Sequence, residues 1–314
     1  MKNLIKLLLI SVIMLMAVSP LLAAEEAGSE PDKMPWVKYD LLQVGTKSSL
    51  EVMTWNIQNF PKHEFTVELA AKVIIAIDPD VIGLQEMESA EDFTKMLKKL
   101  QELAPEADWQ GYRATTDSWE QNLAYLYKAT VLKDVKINEI YADDEKYHSP
   151  FPRKPLLMEF TYQNEDYVII NNHFKARTGE KNEKRRREAV RLIKEYIDTN
   201  LAEQEVFVMG DMNDSLTDTG TGNVFTEILE DKANYLFTDL QIASDPMANW
   251  SYPYWKYRGH LDHIFITNEL FDEFANAGSG VRVVPLDKLM EGGNDGTYKF
   301  VTDHRPVVLK LSVK

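Results

Sequence analysis

A run of four apolar residues that leads directly into polar ones constrains this chain more than any other feature. Residues 206–209, Val-Phe-Val-Met, are followed by Gly210 and then by Asp211, Asn213 and Asp214. Such a run predicts a buried β-strand that delivers polar side chains at its end. Side chains two residues apart on an extended chain point to the same side, so we expect Asp211 and Asn213 to face one space beyond the sheet. The carboxylate could take a proton from water or bind a metal, and the carboxamide could position a water or a phosphate oxygen.

Simpler explanations exist for the same residues. Gly-Asp and Asn-Asp pairs are common in turns, so this stretch alone does not define a site. A calcium loop that began at Asp211 would need glycine and glutamate where the chain has Leu216 and Gly222. Asp218-Thr219-Gly220 resembles half of an aspartic-protease dyad, but no second Asp-Thr-Gly occurs in the sequence. An ordinary turn therefore remains the alternative to a catalytic loop.

The N-terminus has the pattern of a secretory signal peptide. Two lysines precede an apolar run from Leu7 to Val18, and the small pair Ala23-Ala24 ends the segment. The run is shorter than the ~20 residues that cross a membrane, so we expect a signal peptide over residues 1–24 and no stable membrane insertion after cleavage. This predicts an exported protein, periplasmic or extracellular, with a loosely ordered leader over residues 25–48. The chain has no cysteine, so the core must hold the fold without disulfides.

The length and charge of the chain limit its domain organisation and its partners. We expect one domain over residues 49–314, because no linker rich in glycine, serine or proline interrupts it. Removal of the first 24 residues, which hold two lysines and no acidic residue, would take the net charge from −15 to −17. A field of that sign repels polyanions. Nucleic-acid binding would therefore need a local basic patch or bound divalent cations.

Several other strand-like runs have residues capable of chemistry at one end. The runs 50–55, 81–84 and 167–172 are followed by Asn56, Glu86 and His173. The run 261–267 contains Asp262 near its start, and the run 307–311 comes shortly after Asp303 and His304. Each has a structural explanation when taken alone, because charged groups prefer the surface and a single histidine is most often structural. Their recurrence at strand after strand predicts one common site.

Helical spacing predicts amphipathic helices between these strands. One covers residues 65–77 and ends at Asp78-Pro79, one spans residues 93–100, and one continues from the basic segment 181–191 to Ile197. Most side chains of the basic segment would form a solvated face, and the alternative is contact with a phosphate backbone. The aromatic-rich segment 249–260 would pack in the core, or stack on bases if it lies beside the site.

In their order along the chain, the polar motifs resemble those of the endonuclease/exonuclease/phosphatase superfamily. The motifs are Trp-Asn at 55–56, Leu-Gln-Glu at 84–86, Asn-x-His-x-Lys at 171–175, Gly-Asp-x-Asn at 210–213, Leu-Asp-His-Ile at 261–264 and Thr-Asp-His-x-Pro at 302–306. The resemblance covers residues 48–313 and suggests an exported bacterial member. It implies an α/β fold of the DNase I-like type, a four-layer α/β/β/α sandwich in which two mixed β-sheets pack face to face with helices outside.

The resemblance also implies a metal site and a site for the attacking water. Glu86 would be the main ligand of a catalytic Mg²⁺ or Mn²⁺, with Asn56 and Asp303 close by, since hard oxygen ligands suit these ions. Asp211 and Asn213 would activate the attacking water and hold the phosphate.

The remaining roles implied by the resemblance concern the phosphate and the leaving group. His304 would contact the scissile phosphate or act as a base, oriented by Asp262. His173 stands where DNase I-like members place a general acid, with either Glu120 or Gln121 as its support.

Two further positions bear on the phosphate and on the number of metal ions. Arg153 would neutralise the phosphate. Gln58 departs from the pattern, because some members have an acidic residue there. This departure puts a second permanent metal ion in doubt.

Together these residues would supply the cation, the activated water and the proton donor that hydrolysis of a phosphodiester requires. We expect an exported divalent-metal-dependent phosphodiesterase, specifically a DNase I-like endonuclease with nucleic acid as substrate and no protein partner. A sphingomyelinase-like or phosphomonoester hydrolase is the alternative, since one fold hosts several substrates. A non-catalytic binding module is a third interpretation, but it predicts loss of Glu86, His173, Asp211 or His304, and all four are present.

Overall fold

Strands and helices alternate along the chain in the computed structural model, which describes residues 32–115, 121–142, 144–253 and 258–313. The strands of this part are β1 (Leu50–Phe60), β2 (Val81–Met87), β3 (Trp109–Arg113), β4 (Asn122–Lys128), β5 (Lys133–Glu139), β6 (Leu156–Tyr162), β7 (Glu165–His173), β8 (Glu205–Asp211), β9 (Tyr235–Phe237), β10 (Asp262–Thr267), β11 (Gly280–Val283) and β12 (Val307–Leu311). The α-helices are α1 (Thr66–Ile77), α2 (Ala90–Leu103), α3 (Glu180–Asn200), α4 (Thr226–Glu230), α5 (Leu240–Ala243), α6 (Pro246–Asn249), α7 (Phe271–Ala275), α8 (Leu286–Leu289) and α9 (Gly293–Phe300). The expected signal peptide lies outside the described residues.

The strands form two six-stranded mixed sheets. The first sheet has the order β11-β12-β1-β2-β4-β3, and the second has the order β5-β6-β7-β8-β10-β9. One central pair in each sheet is parallel, β1 with β2 and β7 with β8. The strands at the centres of both sheets match the apolar runs of the sequence, whereas the four edge strands β3, β5, β9 and β11 were not predicted.

Apolar side chains sort into three clusters that define four layers. Val52 and Phe207 lie in the cluster between the sheets. Their strand neighbours point the other way: Met53 packs in the cluster that includes α1 and α2, and Val208 packs in the cluster that includes α3. Alternation of this kind explains why the central strands are apolar on both faces. The expected α/β/β/α sandwich is confirmed.

The helix boundaries follow local signals in the sequence. Helix α1 ends at Ile77, where Asp78 adopts a left-handed φ of 63° and its N–H bonds to the carbonyl of Ile74. Pro79 prevents further extension. Helix α2 begins after Ser89, whose hydroxyl oxygen accepts from the N–H of Asp92 at 3.1 Å. None of the helices among the described residues has both the length and the apolar character to cross a membrane.

Strand register aligns one row of polar residues across the second sheet. His173 of β7 pairs with Asp211 of β8, and Asp211 pairs with Asp262 of β10. Gly210 makes this alignment feasible, since it has a φ of 144° and a Cβ there would lie 1.9 Å from the carbonyl oxygen of Asn172. Three potential site residues therefore reach the same edge of the sheet.

The segment before β1 makes ordered contacts, although we expected a loosely ordered leader up to residue 48. Val37 forms a β-bridge with Met290. The N–H groups of Val44 and Gly45 donate to the carbonyl of Ile77, both at 3.0 Å. Leu42 is completely buried. Burial of this apolar side chain explains why the segment packs against the fold.

Candidate active site

Strand topology brings the expected site residues to one edge of both sheets. They lie near the carboxyl ends of the two parallel pairs, at the start of β10, and in the loop that precedes β12. These side chains are Asn56, Glu86, His173, Asp211, Asn213, Asp262, Asp303 and His304.

The Asn56 side chain links the two sheets. Its amide nitrogen donates to Glu86 Oε1 at 3.2 Å and to Asp211 Oδ2 at 2.9 Å. Its Oδ1 accepts from the backbone N–H of Gln58 at 2.9 Å. The amide therefore presents a donor to the carboxylates. In this geometry Asn56 orients two carboxylates, and its expected place at a metal ion stays a prediction.

Beyond Asp211 the chain forms a turn, so the expected extended alternation was wrong. Asn213 has a left-handed φ of 53°, and its N–H donates to Asp211 Oδ1 at 3.0 Å. Its side-chain nitrogen donates to the carbonyl of Phe174 at 3.2 Å. Met212, between them, is completely buried. Asp211 and Asn213 are thus brought together by a carboxylate-capped turn, which is the local structure that Asn and Asp favour.

His304 is held by carboxylates on several sides. Its Nδ1 lies 2.7 Å from Asp262 Oδ2, and its Nε2 lies 3.7 Å from Asp211 Oδ2 and 3.9 Å from Asp303 Oδ1. Burial alone would lower the pKa of this imidazole, but the charges of Asp262 and Asp211 raise it to about 10. His304 is therefore an imidazolium at neutral pH. Of the two roles considered, this state favours contact with a phosphate over action as a base.

At Asp211 the effect of burial on the pKa outweighs the effect of the neighbouring charge, whereas at His304 the neighbouring charges outweigh burial. It is only 2% exposed. Burial raises the pKa of its carboxyl group to about 7, although the charge of His304 opposes the shift. A carboxylate with a pKa near neutral is well matched to general base catalysis.

His173 also lies close to Asp211. Its Nε2 is 3.6 Å from Asp211 Oδ2 and 3.9 Å from Glu86 Oε1. Its Nδ1 is buried and makes no hydrogen bond to the described residues. Burial, together with the nearby charge of Arg153, holds the pKa of His173 well below its usual range. The ring is therefore a neutral imidazole with a single N–H to donate.

Glu86 and Asp303 fit a hard divalent cation. The carboxylate of Glu86 is held in place by Asn56 and by the N–H of Asn59, which donates to Oε2 at 3.0 Å. Asp303 Oδ1 is buried and makes no hydrogen bond within the described part of the chain. A buried carboxylate oxygen without a donor is suited to a cation, and oxygen ligands suit Mg²⁺ or Mn²⁺.

Lys62 is a residue near this site that sequence reasoning missed. Its ammonium group donates to Gln58 Oε1, and Gln58 Nε2 donates to Asp303 Oδ2 at 2.8 Å. The ammonium also lies 3.6 Å from the ring centre of Tyr298. Because lysine can only donate, Lys62 fixes the Gln58 amide with its nitrogen toward Asp303. No local pattern in the sequence signals this chain of contacts, which depends on tertiary structure.

Four basic side chains form a cluster around Lys175, which we call the cationic patch: Arg153, Lys175, Arg177 and Arg185. Two of them, Arg153 and Lys175, also lie close to His173. Burial lowers the pKa of Lys175, and the charges of Arg185, Arg153 and Arg177 lower it further. Mutual repulsion of this kind means that the like charges lie close together.

Contacts of the cationic patch bear on the expectation that Glu120 or Gln121 supports His173. Arg153 donates to Gln121 Oε1, and Arg185 donates to the carbonyl of Ser149 at 2.6 Å. Gln121 thus supports Arg153, and its amide nitrogen donates to Asn59 Oδ1 at 3.2 Å. Glu120, the other candidate support, lies outside the described residues.

Arg186 differs from the solvated face expected for the basic segment. It is 3% exposed, and its Nε donates to Asp214 Oδ2 at 2.7 Å. Its Nη1 donates to the carbonyls of Lys175 and Arg177 at 2.7 and 2.9 Å. Arg186 therefore joins α3 to the turn that carries Asp211 and to the cationic patch. Lys181 and Lys184 on the same helix are exposed, as the solvated-face interpretation predicts.

The aromatic-rich segment packs in the core and also reaches the site. Trp250 and Ser251 are buried, and the ring centre of Tyr252 lies 4.9 Å from that of His304. Residues 254–257 lie outside the described part of the chain.

The chain belongs to the endonuclease/exonuclease/phosphatase family, because its sequence matches the profile of that family over residues 51–299. Members of this family are generally hydrolases that act on phosphoester bonds, and they typically use divalent metal ions. A comparison with curated protein sequences found no match.

Solved structures share the fold at low sequence identity. A family protein from Leptotrichia buccalis C-1013-b is 16% identical with a TM-score of 0.62, over 84% of this chain and 100% of that chain. TDP2 from D. rerio, complexed with single strand DNA product, is 14% identical with a TM-score of 0.60, over 85% and 100%. The human nocturnin catalytic domain with bound sulfate is 17% identical with a TM-score of 0.57, over 86% and 97%. These likenesses support the fold.

Proposed function

We propose that this protein hydrolyses phosphodiester bonds of nucleic acid with the help of a divalent metal ion. The observation that carries the proposal is the cationic patch beside the catalytic cluster, in a chain whose net charge is −15. Four clustered cations in such a chain favour an anionic ligand at this position. His304 and the metal site are sufficient to bind a single phosphate. A polymer has further phosphates, which the cationic patch can bind.

The charge states of the site assign a role to each side chain. Asp211, with a pKa of about 7, takes the proton of the attacking water. Asn213, fixed by its bonds to Asp211 and Phe174, positions the water or a phosphate oxygen. The His304 imidazolium, held by Asp262, stabilises negative charge on the phosphate.

The remaining residues act on the leaving oxygen and on the cation. His173, as a neutral imidazole, donates a hydrogen bond to the leaving oxygen, which takes its proton from solvent water, and Arg153 adds positive charge near this ring. Glu86 and Asp303 would hold Mg²⁺ or Mn²⁺, which when bound neutralises charge on the phosphate. Asn56 keeps Glu86 and Asp211 at a fixed separation.

The comparisons support a nucleic-acid substrate without deciding it. The D. rerio TDP2 structure holds a single strand DNA product on the same fold, and the nocturnin structure holds a sulfate anion. We also propose export, which rests on the signal-like pattern of residues 1–24. Cell fractionation of the full chain and of a version without these residues tests that proposal, and retention of both in the cytoplasm would reject it.

The first experiment compares polymer and small-molecule substrates. Supercoiled plasmid, single-stranded DNA, bis-p-nitrophenyl phosphate and p-nitrophenyl phosphate are each incubated with Mg²⁺, with Mn²⁺ and with chelator. We expect metal-dependent cleavage of DNA and of the diester, reduced roughly 10²–10⁴-fold in Asp211→Asn and in His173→Ala. Cleavage of the monoester alone would replace the proposal with the phosphomonoester hydrolase.

Variants of the cationic patch test directly whether the substrate is a polymer. We expect Lys175→Gln and Arg185→Gln to weaken DNA cleavage and to reduce its dependence on salt, because each removes one phosphate contact. Hydrolysis of bis-p-nitrophenyl phosphate should stay close to wild type. Lys184→Gln, an exposed position of the same helix, is the matched control. Equal effects on both substrates would assign the patch to the scissile phosphate and not to a polymer.

A further inference from the structure

A second buried cluster lies on the face of β10 opposite to Asp262 and takes no part in the roles described above. Asp239, His260 and His263 are each at most 2% exposed. Asp239 Oδ2 lies 2.9 Å from His260 Nε2 and 2.6 Å from His263 Nδ1. Its Oδ1 accepts from the N–H of Ile264 at 3.1 Å. One carboxylate therefore joins two imidazole rings.

The outer nitrogens of both rings face backbone carbonyls. His260 Nδ1 lies 2.7 Å from the carbonyl oxygen of Asn249, and His263 Nε2 lies 2.9 Å from that of Asp214. Carbonyl and carboxylate oxygens only accept hydrogen bonds, so each ring needs a hydrogen on both of its nitrogens. This arrangement favours the doubly protonated form of each ring; burial opposes that form, but the contact with Asp239 raises the pKa of His260.

The separations within the cluster fit hydrogen bonds better than a shared metal ion. The ligand atoms of the three side chains lie within 4.8 Å of one another, so their composition alone would allow a metal site. Two ligands bound to one tetrahedral Zn²⁺ at ~2.0–2.1 Å stand roughly 3.3 Å apart. The observed 2.6 and 2.9 Å are shorter and match charge-assisted hydrogen bonds.

The cluster holds the turn that carries the water-activating residues. Asp214, whose carbonyl accepts from His263, directly follows Asn213. The side chain of Asp214 is held separately by Arg186 at 2.7 Å. The turn is therefore anchored at its end by two basic side chains, His263 on the backbone of Asp214 and Arg186 on its carboxylate.

We propose that Asp239 is a positioning residue for this turn. It fixes the His263 ring, which holds the carbonyl of Asp214 and thereby sets the place of Asp211 and Asn213. The effect on catalysis rests on the proposed function, whereas the effect on the turn does not.

Two substitutions separate geometry from charge. Asp239→Asn can place its NH₂ group where Oδ2 stands and donate to both rings, which then become neutral but stay in place. Asp239→Ala removes both bonds. Ile266→Ala is the matched control for lost stability, because Ile266 is completely buried on the opposite face of the same strand, in the cluster between the sheets.

Nitrogen NMR of the histidine rings and elemental analysis test the protonation state. We expect both rings of the wild type to carry hydrogen on both nitrogens at pH 8, without stoichiometric metal. In Asp239→Asn each ring should carry hydrogen on one nitrogen. Stoichiometric zinc in the wild type that is lost in Asp239→Ala, or singly protonated wild-type rings, would overturn the proposal.

Amide exchange and kinetics test the positioning. In Asp239→Ala we expect faster exchange at residues 212–214 and a kcat lower by roughly 10- to 100-fold, with the affinity for Mn²⁺ unchanged. Asp239→Asn should retain most of kcat, and Ile266→Ala should change neither measurement at the turn. Unchanged exchange and unchanged kcat in Asp239→Ala would reject the proposal. If the wild type cleaves no phosphoester, the proposed function fails, and the exchange data still decide the positioning.

Discussion

At the scale of single residues, His173 and His304 approach the same oxygen of Asp211 with opposite charge states. Their Nε2 atoms lie 3.6 and 3.7 Å from Asp211 Oδ2. His304 has a carboxylate partner on its Nδ1, whereas the Nδ1 of His173 makes no hydrogen bond to described residues and Arg153 lies nearby. The environment, and not the residue type, therefore makes one ring cationic and the other neutral.

The charge of His304 leads to a prediction for Asp262→Asn. Burial lowers the pKa of His304, and the charge of Asp262 is the largest influence that raises it, to about 10. Without that charge the ring loses its proton at a lower pH. We expect the alkaline limb of kcat/KM to move to lower pH and its maximum to fall by about 10²–10³-fold. The pH dependence of diester hydrolysis measures both effects. Glu205→Gln, at the other end of β8, is the control. An alkaline limb at the same pH in Asp262→Asn as in the wild type would contradict the role of His304.

At the scale of elements, α3 is joined to the catalytic turn by Arg186. Its guanidinium is 3% exposed and pairs with Asp214. Removal of one partner of a buried pair leaves a buried charge without compensation. We expect Arg186→Met to lower the free energy of unfolding by about 3–5 kcal/mol. Arg191→Met, whose pairs with Glu188 and Glu195 lie at the surface of the same helix, should cost less than about 1 kcal/mol.

Urea unfolding of these two variants measures how much the buried pair of Arg186 and Asp214 contributes to stability. A double variant, Arg186→Met with Asp214→Asn, should recover part of the loss because it also removes the stranded carboxylate. Equal, small losses at both arginines would mean that the buried pair does not hold α3 to the turn.

A carboxyl group near the start of β1, that of Glu51, should make stability depend on pH. Glu51 is completely buried and Asp80 is 5% exposed. Burial, with a contribution from Asp80, raises the pKa of Glu51 from 4.5 to about 8. A raised pKa in the folded state means that this contribution to stability is complete below pH 4.5 and is lost as the pH rises through about 8.

Glu51→Gln tests this dependence, because glutamine can accept from Ser49 but does not ionise. We expect the same unfolding free energy as wild type near pH 4.5 and a gain of roughly 2–4 kcal/mol above pH 8. Urea unfolding between pH 4 and about 9 measures it, with the exposed Glu230→Gln as control. A difference that does not grow with pH would show that Glu51 ionises normally.

The elements that were not predicted share one physical property. Edge strands β3, β5, β9 and β11 have a partner on one side only. In β5 the burial alternates between exposed and half-buried positions, so no continuous apolar run marks it. Central strands such as β8 are covered on both faces, and their apolar runs are visible in the sequence.

At the scale of the whole molecule, the candidate site depends on contacts between residues far apart in the chain. Asn56 and Asp211 are 155 positions apart, and Gln58 and Asp303 are 245 apart. Strand ends identified these residues as candidates, and the family resemblance supplied their common location. Neither could predict the amide orientation of Asn56 or the contacts of Lys62, because both follow from packing across the sheets.

The length of chain needed for the folded molecule is the last prediction. Residues 37–45 contact α1 and α8, and Leu42 is completely buried whereas Leu41 is 58% exposed. We expect a protein that begins at residue 49 to unfold with about 2–5 kcal/mol less free energy than one that begins at residue 35, because it lacks the burial of Leu42. Leu42→Ala in the longer protein should reproduce much of that loss, and Leu41→Ala should not. Equal free energies of unfolding in urea for the two lengths would show that this segment is loosely ordered, as its sequence suggested.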